Sequence, residues 1–388
     1  MADFGVRIYN QDRSHFDFDE RSTLCHVLAT GTSGSVDRGH VPLSYVENFN
    51  TGIHVPEGYD WWLWQSVSTQ AQTGNLLGFL NWGLWGFSDA EAYLDDGRNI
   101  NIRWSLTDTT GGRGFVNIGG HVGDVLVGKW LRLPGITYGA IAWPVARNRN
   151  YGFSISGANN MAGVFDTSLV SHLQWKGDVD IYNGWTPGNI NPALNMNNCL
   201  CFFYTTDMNL VIGIDSDAKY RVWMNGRRQE SPVRVKVCVF GNSGPVSPLA
   251  EYGLQVWNPD TGQLVYNSGR DAILKPQLIS MTGATDINNN VLHRNPVDTP
   301  GIKRPMYAPT NTGAGAAGGF SFTDDGRSMS VFYTWVSSNG HYLYSNYGGQ
   351  TLVYDRINQE GYFAYDRPIY QSGRNKVMVI DAEDYFVF

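Results

Sequence analysis

Two pairs of carboxylates stand at a spacing that can do chemistry. Asp178/Asp180 and Asp215/Asp217 are each two residues apart, so on a strand both members of a pair face the same side. Such a pair can hold a calcium ion or act as the acid and base of a glycosidase. Their neighbours argue for a plainer role. Tyr182 and Trp185 follow the first pair, and Ile212 and Ile214 flank the second. Acidic residues in that company read as solvent-facing strand positions or turns. No Gly-X-Ser-X-Gly elbow and no His-Glu-X-X-His helix occurs, and the histidines are scattered without metal-ligand spacing. No catalytic residue, metal site or cofactor is expected.

Two strings imitate nucleotide-binding loops. Gly123-Asp124-Val125-Leu126-Val127-Gly128-Lys129-Trp130 has the glycine and lysine spacing of a phosphate loop. Trp130 stands where a Ser or Thr hydroxyl must hold magnesium, and the interior is strand-like. Gly313-Ala314-Gly315-Ala316-Ala317-Gly318 has dinucleotide spacing but precedes a strand pattern rather than a helix. A phosphate would find no helix N-terminus there. The cysteines are Cys25, Cys199, Cys201 and Cys238. Cys199 and Cys201 lack a second Cys/His pair at zinc spacing, so the expectation is four reduced, mostly buried thiols.

The remaining chemical signal is aromatic. Trp61, Trp62 and Trp64 follow the turn Pro56-Glu57-Gly58, and Trp82 and Trp85 lie close by in sequence. Flat aromatic faces stack on sugars and other ligands, and they also fill cores and subunit interfaces. Trp61 and Trp62 are adjacent, so on a strand one of them must point away from the core that receives the other. The five tryptophans are therefore candidates for ligand or subunit contact, with core packing as the competing role.

The elements that must position these residues are strands. Charged residues make up only 16% of the chain, while Gly, Asn, Tyr and Trp are abundant, a β-rich, turn-rich composition. Val233 to Val239 alternates perfectly, and Val377 to Ile380 and Tyr385 to Phe388 supply closing strands. Gly319 to Trp335 reads as a hairpin around Asp325-Gly326. Leu76 to Phe87 reads as a buried strand pair with a turn near Asn81, too short and too broken by glycine to span a bilayer. Two short helices are the exceptions: one within Tyr59 to Thr73, and one over Ser88 to Leu94, where Ser88 and Glu91 form a capping-box pattern. Asp286 to Gly319, rich in Asn, Pro, Gly and Thr, reads as a long loop. Net charge is −7 and no Lys/Arg run occurs, which argues against a nucleic-acid partner, and none is expected. Residues 1–25 have no basic n-region or apolar h-region, so no secretory signal is expected.

The fold class expected is all-β, with two or more sandwich-like or barrel-like modules, long Gly/Asn/Pro-rich loops and little helix. A Trp-rich module covers 1–243, with a further division conceivable near 144–157, and a second module covers 250–388. The turn-rich stretch 241–250 links them. Each module begins with the same grammar. Phe4-Gly5-Val6-Arg7-Ile8-Tyr9-Asn10-Gln11-Asp12 aligns without a gap on Tyr252-Gly253-Leu254-Gln255-Val256-Trp257-Asn258-Pro259-Asp260. Phe16, Phe18 and Asp19 then align on Leu264, Tyr266 and Asn267. The expectation is two equivalent hairpins.

The second of these segments, continued by Gly262-Gln263-Leu264-Val265-Tyr266-Asn267-Ser268, resembles tail proteins of tailed bacteriophages. Val377-Met378-Val379-Ile380-Asp381-Ala382 is similar to the way such proteins finish. The resemblance covers roughly 250–388 and, more loosely, 3–24; the Trp-rich stretch from 40 to 225 lies outside it. It implies a non-enzymatic structural or adsorption component of a tail tip, baseplate or fibre, assembled in the host cytoplasm and carried in the virion. The implied partners are other tail proteins, further copies of the chain in a trimer or larger ring, and a host surface glycan or protein, with no membrane insertion. It brings no catalytic residues. The rival readings are a tail-associated glycan depolymerase, which needs a cleft with two carboxylates roughly 5–10 Å apart, and a lectin-like glycan-binding module.

Overall fold

The computed structural model describes residues 5–9, 15–19, 25–41, 44–75, 82–107, 129–145, 152–156, 161–165, 170–241, 255–257, 264–267, 271–273, 276–281, 295–319, 327–355, 369–372 and 376–388. The fold is nearly all β, with 61% strand, 3% helix, several separate sheets and no closed barrel. All the strand pairs described below are antiparallel.

Two apolar cores organise the larger sheets, and one small sheet lies between them. That sheet has the order β3-β11-β6, from β3 (His26–Thr32), β11 (Thr137–Pro144) and β6 (Tyr59–Gln65). Its cross-strand pairs include Ile141 with Val27 and Trp62, and Ala140 with Ala29 and Leu63. Val27, Trp62, Trp64 and Ile141 enter the first core, whereas Leu63, Tyr138 and Ala140 enter the second. Apolar side chains on both faces are what a sheet shows when it is covered on both sides.

The second core is closed by a four-stranded sheet of order β5-β9-β8-β7. Its strands are β5 (Val46–His54), β9 (Asn99–Thr107), β8 (Trp82–Leu94) and β7 (Thr69–Asn75). A ribbon of β4 (Val36–Val41) and β10 (Lys129–Leu133) adds Val41, Leu131 and Leu133 to the same core. A separate ribbon pairs β12 (Gly152–Ser156) with β13 (Met161–Phe165).

The first core rests on a six-stranded sheet of order β14-β19-β15-β23-β28-β22. Its strands are β14 (His172–Ile181), β19 (Val233–Gly241), β15 (Cys199–Tyr204), β23 (Pro305–Tyr307), β28 (Lys376–Asp381) and β22 (Gln277–Ser280). The sheet takes strands from both sides of the expected linker 241–250. Phe203 of β15 pairs with Tyr307 of β23, so the stretches 1–243 and 250–388 share one sheet and one core. The linker residues 242–250 lie outside the described residues. The continuous run Val377 to Ile380 follows from burial on both faces: Met378 and Ile380 join the first core, while Val377 and Val379 pack with Tyr307, Val336 and Leu343.

A small sheet of β16 (Leu210–Ile214), β17 (Tyr220–Met224) and β18 (Arg227–Arg228) covers the first core. It meets a four-stranded sheet of order β26-β25-β24-β27, from β26 (Leu343–Asp355), β25 (Arg327–Ser338), β24 (Asn311–Gly319) and β27 (Ile369–Ser372). Trp223 and Trp335 stack at that junction, with centroids 6.3 Å apart and planes 19° apart. Gly213 lies beneath them, and a Cβ there would sit 2.8 Å from Trp223.

The two segments aligned in the sequence both form hairpins. β1 (Gly5–Tyr9) pairs with β2 (His15–Asp19), and β20 (Gln255–Trp257) pairs with β21 (Leu264–Asn267). Their registers differ. Arg7 faces Asp17, but its counterpart Gln255 faces Asn267, the counterpart of Asp19. The offset is two residues at Gln255 and Val256 and falls to one at Trp257, which pairs with Leu264 across a register irregularity. The turns around Asn10 and Asn258 lie outside the described residues.

Several local expectations are corrected. Ser88 to Leu94 is strand, not helix: Ala90, Ala92 and Leu94 face the second core while Glu91 and Tyr93 face away. That period of two outweighs the local capping-box signal. Tyr59 to Thr73 likewise holds β6 and the start of β7. The Gly/Ala string 313–318 lies within β24, an inner strand paired on both sides, so the loop expected over 286–319 gives way to strand at Pro305–Tyr307 and again from 311. Phe320 to Gly326 lies outside the described residues. Tyr385 to Phe388 is not a strand. It follows a short 3-10 turn at Ala382–Asp384, and Tyr385 is buried with its hydroxyl donating to Ala272 O at 2.8 Å. Of the strand pair expected within Leu76 to Phe87, residues 76–81 lie outside the described residues; Trp82 to Phe87 belongs to β8, which pairs with β7 at Thr69–Asn75.

A buried polar seam fastens the 65–72 segment to β24 and β25. Asn311 Oδ1 accepts from Ser68 N at 3.0 Å and from Ser68 Oγ at 2.7 Å. Its amide nitrogen donates to Thr334 O at 3.0 Å and Gly313 O at 3.2 Å. Ser68 and Asn311 are fully buried. Asn311→Ala strips these partners inside the protein and is expected to destabilise it by about 3 kcal/mol, since each stranded buried group costs ~1–3 kcal/mol. Urea unfolding measures this; a loss below about 1 kcal/mol would mean that the seam relaxes without Asn311.

His26 supplies a second test. It is nearly buried, and its Nδ1 has no hydrogen-bond partner among the described residues. Burial disfavours the charged ring and lowers its pKa from 6.5 to about 4. Between those values the unfolded chain binds a proton that the folded chain does not. His26 therefore removes stability as pH falls through that window, by up to ~3 kcal/mol. The difference in urea stability between about pH 7 and about pH 4.5 should shrink in His26→Gln, which cannot take up the proton. An unchanged difference would assign the effect to other groups.

Candidate functional site

The sequence-selected tryptophans divide between the two cores. Trp62 and Trp64 are 5% and 2% exposed, and Trp62 Nε1 donates to Lys376 O at 3.0 Å. Gly139 makes room for Trp64, because a Cβ there would lie 2.7 Å from Trp64 Cε2. Both side chains are interior, so neither offers a ligand or subunit surface. Trp61 is half-buried against the second core. The adjacent pair needs no solvent-facing member, since each face of β6 has its own core. Trp82 and Trp85 start β8, and their side chains lie outside the described residues.

The paired carboxylates are neutralised by neighbours. Asp178 faces Lys236 across β14 and β19 with a 3.1 Å ion pair, and Asp180 faces Arg234 at 3.3 Å. Arg221 bridges the other pair, 3.3 Å from Asp215 and 2.7 Å from Asp217. All four cysteines are buried and free. Burial pushes the Cys199 thiol up to about 11 and raises the other three further, so the nucleophilic thiolate is suppressed. Among the described residues no cluster of His, Cys, Asp and Glu could hold a metal ion. No helix there is long and apolar enough to cross a membrane.

The surface with the most organised chemistry is the outer face of the β5-β9-β8-β7 sheet. Inward residues Phe49, Ile100, Ile102, Trp104, Ala90 and Ala92 feed the second core. Alternation then sends their neighbours outward. The register sets these in rows across three strands. Asn48 faces Arg103, which faces Glu91; Asn50 faces Asn101, which faces Tyr93. Arg103 and Glu91 form a 2.9 Å ion pair. The Arg103 guanidinium lies 5.5 Å from the centre of the Tyr93 ring. Tyr93 OH donates to Asn48 Oδ1 at 3.3 Å. That contact runs from β8 to β5, two strand spacings of ~4.8 Å each, so the phenol lies along the sheet rather than standing on it.

The β8–β9 turn holds one end of this face. Asp95 accepts from Asn99 N at 2.8 Å and from the Asn101 amide at 3.1 Å. The Asn99 backbone N–H is the main cause holding the Asp95 carboxyl below its ordinary pKa, with the Asn101 and Asn99 amides assisting. Arg98, in the left-handed region at φ 58°, reaches back to Val55 O, Pro56 O and Tyr59 O at 2.8–3.1 Å. The turn is thereby tied to the segment leading into β6. Sequence reasoning missed this face because its residues come from three strands. The signal was the alternation of Asn48-Phe49-Asn50 and Asn99-Ile100-Asn101-Ile102-Arg103-Trp104.

No curated protein and no solved structure matches the chain. DUF6453, a family of unknown function, matches residues 101–349, and with more than half of its length matched the chain belongs to that family.

Proposed function

We propose that the protein is a non-enzymatic structural and adsorption component of a bacteriophage tail, assembled from several copies of the chain. The observation that carries this reading concerns the segments with the tail-like motif. Both fold as two-stranded ribbons that hydrogen-bond within themselves and join none of the larger sheets among the described residues. A lone two-stranded hairpin is marginal in water and gains stability from a further strand or a packing surface. Neighbouring tail proteins or further copies of the chain supply that surface in this reading.

The interior supports a structural role. Buried polar groups such as Ser68, Asn311, Thr312 and Thr334 bond to one another and hold strands together. The acidic pairs that a depolymerase would use are each matched by a cation on the same surface. This favours attachment over hydrolysis.

Light scattering of the purified protein is expected to give a trimer or larger ring. Immunogold labelling of the phage that encodes it should decorate the tail. A monodisperse monomer together with label absent from the particle would overturn the reading.

A further inference from the structure

We infer that the outer face of the β5-β9-β8-β7 sheet binds an uncharged glycan. This rests on the adsorption role proposed above and names the chemistry that role would recognise. The open part of this face spans β5, β9 and β8: Asn48, Asn50 and Arg103 are exposed, Glu91 and Tyr93 are half-buried beside them, and Asn101 is buried beneath, its amide donating to Asp95 and Asn99 O. Sugars need two things from a protein: planar polar groups that bond to adjacent hydroxyls, and a flat ring on which the C–H edges rest. Both are here. The Asn48 and Asn50 carboxamides and the Arg103–Glu91 pair provide donors and acceptors, and the Tyr93 phenol lies along the sheet with its hydroxyl held by Asn48 and the Arg103 guanidinium over part of its ring.

Charge and polarity select the occupant. Arg103 and Glu91 cancel. At the margin, Asp95, Asp96 and Arg98 of the β8–β9 turn leave no excess cation to hold an anionic polymer. A protein partner would need an apolar centre, since interface cores are depleted of charge and enriched in large apolar groups. Val46, 40% exposed, is the large apolar side chain exposed on β5, and it sits at the end of the strand. Neutral hexose or N-acetylhexosamine chains fit what remains. The platform is also rigid: β9 is hydrogen-bonded on both sides, and Arg98 fixes the β8–β9 turn. Little ordering cost then falls on binding.

The test is a printed array of neutral oligosaccharides built from hexoses and N-acetylhexosamines, with sulfated and uronic-acid chains alongside, followed by titration calorimetry on the best neutral probe. The full-length protein is expected to retain neutral probes in preference to the acidic ones. Tyr93→Ala and Asn48→Ala should each weaken binding about tenfold, the loss of roughly 1.4 kcal/mol. Tyr182→Ala, at an exposed tyrosine outside this face, should leave it unchanged. Thermal unfolding of each variant confirms that it folds; should Tyr93→Ala not fold, Asn48→Ala carries the test, and wild-type affinity in it overturns the inference. No retained neutral probe, equal retention of acidic chains, or wild-type affinity in Tyr93→Ala would each overturn the inference. The particle-labelling experiment is independent. Tail labelling without glycan binding defeats this inference alone, and glycan binding without tail labelling defeats the tail assignment alone.

Discussion

A three-stranded sheet with apolar groups on both faces has to be covered twice. That requirement, set by Trp62 and Trp64 on one side of β6 and Leu63 on the other, organises much of the molecule. The six-stranded sheet and the β16-β17-β18 hairpins supply one cover. The β5-β9-β8-β7 sheet supplies the other. The constraint is tight locally, because Trp64 packs where β11 carries no side chain, at Gly139. Interiors at this density tolerate little added volume. Hydrogen bonds then pin the layers: Val27 N to Ser171 Oγ at 2.7 Å, Thr137 Oγ1 to Asp215 O at 2.7 Å, and Trp62 Nε1 to Lys376 O. The last of these crosses 241–250, as does the pairing of Phe203 with Tyr307, so cutting the chain into two modules there would break a shared interior.

Strands with strong alternation were legible. Val233 to Val239 reads as a strand and is one, and β14 and β19 align its cations with Asp178 and Asp180. Elements went unread where local chemistry and tertiary context disagree. Ser88 and Glu91 imitate a helix start, yet Ala90 and Ala92 belong to a strand face buried against Ile102 and Trp104. Gly and Ala are depleted from strands in general, but β24 uses them as an inner strand between β25 and β27. Adjacent tryptophans imply an outward ring only on a sheet with a single core, and β6 has a core on each face. Burial on both faces depends on which sheets stack, and no local pattern encodes that.

The polar outer face follows from the same constraint. Once Ile100, Ile102 and Trp104 are committed to the second core, the period of two leaves Asn99, Asn101 and Arg103 no other side. Register then converts three separate sequence patterns into one surface. Asn48 and Tyr93 are 45 positions apart in the chain, yet their side chains meet across β9. Such a site is invisible to motif searches, which look for spacing along one segment. It is visible to a search for amide-rich faces on strands whose alternate positions are strongly apolar.

The distribution of polar groups separates two roles within one fold. Inside, Ser68, Asn311, Thr312 and Thr334 satisfy one another, so their hydrogen-bonding capacity is spent on holding strands together. Outside, the β5-β9-β8 rows keep amides and a phenol at a surface backed by a packed core. Loops would offer adaptability there; strands offer fixed spacing, because each row is set by backbone hydrogen bonds on a sheet that cannot shift without exposing Trp104 and Ile102. A one-residue slip of β9 would exchange its core face for its polar face. Stability of the second core and integrity of the outer surface are thus one property.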